Sequence, residues 1–162
     1  MPLRINVKDM SKQHKLSYFG GGGAFLYNVK NINISFASRE MMDLGQARKL
    51  LISCSEELLR RINANDRIRP YLEHFPFSEK GISLGTSYFD SKLNRVQPKY
   101  IARVCIIHGN IYYTIYDKEA DTLKTIHEET YQEALNIVRS QNNTQESSDI
   151  LNAPRSTLEE PT

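Results

Sequence analysis

The chain has no tryptophan and only two cysteines among its 162 residues. Cys54 and Cys105 stand far apart in apolar-patterned segments, so no disulfide framework is legible. Two buried free thiols acting as small hydrophobes are expected, in a reducing compartment. Long apolar runs are also missing. No window approaches the roughly 18 uninterrupted apolar residues of a membrane span. The opening "MPLRINVKDMSKQHK" has charges but no apolar core of a secretory signal. A soluble, cytoplasmic protein is the expectation, with non-classical export left open.

Ligand and catalytic spacings are absent as well. His14, His74, His108 and His127 share no metal-ligand spacing with one another or with the cysteines, so neither a metal nor a cofactor is expected. His108 lies near Cys105 but on the opposite side of a strand, which argues against a cysteine–histidine pair. Glu56-Glu57 and Glu128-Glu129 are adjacent pairs, and neighbouring residues do not share a helix face. No catalytic residue emerges, and a non-enzymatic role is the expectation.

Charge of one sign is not scarce overall, since the net value is +2, but it is unevenly placed. Residues 1–118 hold 18 Lys and Arg against 10 Asp and Glu, while residues 119–162 hold three against nine. Such a balance suits a polyanion partner or an acidic end that folds back on a basic body.

What is present begins with "GGGGAFLYN" at residues 20–28. A phosphate-cradling loop needs a helix N-terminus behind its glycines and a characteristic spacing. Here Phe25, Tyr27, Val29, Ile32, Ile34 and Phe36 follow, which are strand formers. The run therefore reads as a hinge or mobile turn between an N-terminal arm and the body.

Residues 43–65 carry Leu44, Ala47, Leu51, Cys54 and Leu58 at alternating spacings of three and four, one face of an amphipathic helix. Asp43 with Gln46 forms a capping box at its start, and Arg60 and Arg61 suit its final turn. "DRIRPYLEHFPFSEKG" then reads as an irregular, partly buried crossover. Residues 81–89 alternate like a strand, and a meander follows. Gly109-Asn110 signals a type II′ hairpin that pairs Ile106 with Tyr113 and Arg103 with Tyr116. A third strand is expected at about 122–127. Thr130 and Glu133 form a second capping box, ahead of Tyr131, Ala134, Leu135 and Val138.

The fold class is thus α+β: a long amphipathic helix packed on a three- to four-stranded antiparallel meander, plus a short C-terminal helix. Residues 1–23 form a flexible arm and hinge, 24–140 a single domain, and 141–162 a disordered tail.

Two surfaces stand out. Val104, Ile106, Ile111, Tyr113 and Ile115 share the core side of the hairpin. The opposite side, with Arg103, Cys105, Ile107, Tyr112, Thr114 and Tyr116, is too apolar for an ordinary solvated face. Either a terminal segment of the same chain covers it, or it is an interface. Aromatic residues with arginine are typical of contact surfaces. Arg103, Tyr112 and Tyr116 are therefore the candidates for a protein partner or self-association. The alternative is a small polyanion- or nucleic-acid-binding protein that uses Arg60, Arg61, Arg67 and Arg69, with Tyr71 and His74 beside them.

Overall fold

Asp43 caps the dominant helix as its sequence implies. Its carboxylate accepts from the Gln46 amide at 2.8 Å, and the Gln46 side chain accepts from the Asp43 amide at 3.0 Å. The helix, α2 (Leu44–Asn63), buries Ala47, Leu51, Cys54, Leu58 and Ile62 along one stripe. The computed structural model describes residues 6–24 and 28–153.

Before α2 come α1 (Val7–Gln13), β1 (Ser17–Ala24) and β2 (Asn31–Ser38). After it come β3 (Ile82–Tyr88), β4 (Arg103–Ile107), β5 (Asn110–Asp117), β6 (Thr122–Thr130) and α3 (Tyr131–Leu151). The strands form one six-stranded sheet in the order β1-β2-β3-β4-β5-β6. All neighbours are antiparallel except β2 and β3, which run parallel because α2 carries the chain across between them.

The expected three- to four-stranded antiparallel meander is therefore replaced by a six-stranded mixed sheet, although the class remains α+β. β1 was invisible because glycine has no strand preference of its own, so Gly20–Gly23 gave no signal. The parallel β2–β3 pairing joins segments separated by the whole of α2, and local pattern does not specify such a pairing. Phe25 and Tyr27 lie outside the described residues.

The C-terminal helix is 21 residues long rather than short. Beyond Arg139 it is exposed and hydrogen-bonded to itself. Ser140, Thr144, Ser147 and Ser148 each donate to the carbonyl four residues back. This exposed polar stretch has no apolar stripe, so hydrophobic periodicity could not reveal the helix.

The hairpin turn sits one residue earlier than expected. His108 and Gly109 both have positive φ, and Ile107 pairs with Asn110 across them. Positive φ at both central positions defines a type I′ turn. Ile106 consequently pairs with Ile111, and Arg103 with Thr114. The partner changes by two residues, so each side chain keeps its face.

On the inner face, which α2 crosses over β3 and β4, Ile34, Phe36, Leu84, Val104, Ile106, Ile111 and Tyr113 are buried. Both other helices pack beside α2. Arg61 donates to the carbonyl of Asn6 at the start of α1, and Tyr131 of α3 donates to Glu56. All three helices thus lie on one side of the sheet.

Candidate interaction surface

The consequence of that layering is a sheet face that, among the described residues, none of the three α-helices covers, although Arg95 lies over Tyr116 at its far end. Neither α3 nor α1 covers the side carrying Arg103, Cys105, Ile107, Tyr112 and Thr114, because both pack with α2 on the other side. Across β2 and β3 the bare face is small and polar, with Asn31, Ser35, Ser83, Gly85 and Ser87. Across β4 and β5 it becomes larger and more apolar, with Ile107 43% exposed and Tyr112 half-buried.

Arg103 is the central feature. Its Nη1 donates to Ser87 Oγ at 2.9 Å on the neighbouring strand. Its guanidinium lies over Gly85, where a Cβ would come within 2.6 Å of Nη2. A side chain at position 85 would push the arginine off the sheet, so the glycine is what lets the guanidinium settle against the backbone there. The other two half-buried arginines, Arg48 and Arg61, each hold a carboxylate at 2.7 and 2.6 Å. Arg103 holds none among the described residues.

Cys105 lies beside it. Burial pushes its thiol above the ordinary value, and Arg103 offsets this only in part. Burial lifts the Cys54 thiol to about 12. Neither is a ready thiolate at neutral pH, so both lack the activation of a nucleophilic cysteine. Cys105 is half-buried on the bare face rather than in the core, whereas Cys54 is buried on the inward stripe of α2.

The three residues marked by sequence share this face, but they are not equivalent. Thr114 stands opposite Arg103, and Tyr112 opposite Cys105, so Tyr112 lies diagonally across from the arginine. Tyr116 sits at the far end, where its hydroxyl donates to Asp121 and Arg95 stacks 5.4 Å above its ring. Its contacts are already made within the chain.

The basic cluster is largely neutralised. Arg60 and Arg61 both bond Glu57, whose carboxyl their hydrogen bonds hold down at about 2. Arg69 stands 3.3 Å from Asp66 and lies over the Phe75 ring. Arg67 alone of the four has no side-chain partner among the described residues.

A charged cluster that the sequence hid lies under the sheet. Arg48 donates from Nε and Nη2 to the two oxygens of Glu129 at 2.7 and 3.1 Å. The Tyr113 hydroxyl donates to the same carboxylate. His127 Nε2 comes to 3.5 Å from Glu129 without hydrogen-bond geometry, so it stands beside the pair rather than in it. Burial raises the Glu129 carboxyl, but hydrogen bonds from Arg48 and Tyr113 outweigh it and leave the group below its ordinary value. Burial first, then Glu129, raises the Tyr113 hydroxyl. Glu129 is ionised with its oxygens occupied, and Tyr113 stays protonated, so neither of these two groups is poised for proton transfer near neutral pH. The cluster clamps α2 to β6. Residues 81 positions apart give no sequence signal for such a bond.

Among the described residues no three His, Cys, Asp or Glu groups gather to hold a metal ion, and no helix is long and apolar enough to cross a membrane. In comparisons with known proteins, no family model, no curated protein and no solved structure matches this chain.

Proposed function

We propose that this chain is a non-enzymatic protein-interaction module that docks a partner on the bare face of its sheet. The observation that carries the reading is Arg103, a half-buried guanidinium that bonds Ser87 Oγ and holds no carboxylate among the described residues. A partly desolvated charge is costly until it is paired. A partner carboxylate would supply the missing counter-charge, while Tyr112 and Ile107 provide the apolar contact that such interfaces use. The fitting partner is a protein with a flat, acidic patch. Two thiols on opposite sides of one sheet, one of them partly exposed, suit a reducing, cytoplasmic setting.

The polyanion reading draws less support. Three of its four arginines are already engaged with carboxylates, and a phosphate would have to compete with them.

A photo-crosslinking residue in place of Tyr112, introduced in the native cell, tests the proposal. The expected result is one dominant protein adduct that disappears when Arg103→Glu is added and survives Arg67→Glu. An adduct indifferent to Arg103→Glu, or crosslinks confined to the same chain, would contradict it.

A further inference from the structure

The glycine run remains, and its neighbourhood makes a second, separate surface. β1 is an edge of the sheet, and no strand pairs with its outer backbone groups among the described residues. Natural edges are usually guarded by charge, proline or bulges, because a free row of N–H and C=O groups templates further pairing. The opposite edge is guarded in this way. β6 carries Lys124 and Glu128, and its register slips opposite Tyr113/Thr114. β1, Ser17–Ala24, has no charge and no proline. Its irregularity falls at Phe19, beyond which Gly20–Ala24 pairs regularly with Asn31–Ser35.

The glycines themselves divide. Gly20 has φ +155°, which side chains resist. At Gly21 a Cβ would meet the Asn33 carbonyl oxygen at 2.7 Å and the Tyr18 hydroxyl at 2.9 Å. Both are explained within the chain. Gly22 is not: nothing lies within 4 Å of where its Cβ would be, and its φ is ordinary. A strand-interior glycine with room to spare gives up stability for no internal gain, and such a glycine often marks the approach of another backbone. Three residues back on the same strand, Phe19 is 76% exposed.

We propose that β1 pairs antiparallel with β1 of a second copy, closing a two-fold dimer with one continuous sheet. In that arrangement the aromatic N-terminal half of each β1 faces the glycine half of the other. Cross-strand coverage of glycine by an aromatic ring favours such a pair. An uncharged edge meets no repulsion from its own copy. Pairing of β1 with β6 is opposed by the charges and irregular register of β6, so like pairs with like and the assembly closes rather than polymerises.

Sedimentation velocity of the full chain from nanomolar to high micromolar concentration tests this. The expected mass is twice the 18.7 kDa of one chain, falling to 18.7 kDa for Gly22→Lys with the circular dichroism of the fold retained. Phe19→Lys, at an exposed position, should do the same and decides the matter should Gly22→Lys not fold. Arg103→Glu should leave the dimer intact, which separates this edge from the docking face. A wild-type chain at 18.7 kDa throughout, a dimer that survives the β1 substitutions, or one that Arg103→Glu dissolves would overturn the proposal.

Discussion

Replacing Glu129 with alanine should lower the unfolding free energy by about 3 kcal/mol, the scale of breaking a buried ion pair from one side. The loss arises because Arg48 keeps its charge under the sheet with no carboxylate, and the Tyr113 hydroxyl loses its acceptor. Replacing both partners with apolar residues, Arg48→Met with Glu129→Leu, should cost much less than the two single changes together. Acid should narrow the difference between wild type and Glu129→Ala. The native fold holds this carboxyl below its ordinary value of 4.5, so the ionised form is favoured in the folded state. That stabilisation is complete above about 4.5 and is lost as pH falls through the lower native value. Urea titrations at neutral pH and in acid check both statements. Equal gaps at the two pH values would mean that the pair contributes by packing alone.

Phe36→Ala should cost about 3–5 kcal/mol, the usual range for emptying an aromatic site in a core. Phe36 is 1% exposed on β2, and its ring meets that of Tyr18 edge-on with centroids 6.3 Å apart. Tyr18 is one of the few large side chains on β1, whose other positions are mostly glycine. Truncation thus opens a cavity and removes the anchor of the edge strand. Amide exchange should rise in Gly20–Ala24 more than in β4 or β5. Uniform exchange across the sheet would show that β1 depends on its backbone pairing and not on this aromatic contact.

These two sites differ in how far the sequence disclosed them. Phe36 sits in an alternating run, so its burial follows from the period of two. α2 and the start of α3 were legible for a similar reason, because Asp43–Gln46 and Thr130–Glu133 advertise the caps that both helices use. The two faces of the hairpin were legible even though the turn was misplaced. His108 takes a positive φ that non-glycine residues seldom adopt, and the resulting change of partner by two residues preserves the face of every side chain.

What stayed hidden depends on distance. Arg48 and Glu129 meet only because α2 crosses the sheet, and Gly85 matters only because Arg103 lies over it. β1 is written in glycine, which records backbone proximity instead of a pattern. The bare face was half legible. Its apolar alternation in β4 and β5 was visible, whereas the placement of all three helices on the other side follows from packing against α2.

That placement is the centre of the account, and native-state labelling of the two cysteines measures it most directly. Cys105 lies half-buried on the bare face, while Cys54 is buried on the inward stripe of α2 on the other side. In the folded protein a small aromatic disulfide reagent should modify Cys105 far faster than Cys54, and Cys54 should react only on unfolding in urea. Equal protection of both thiols would mean that the chain covers this face itself and would contradict the docking surface.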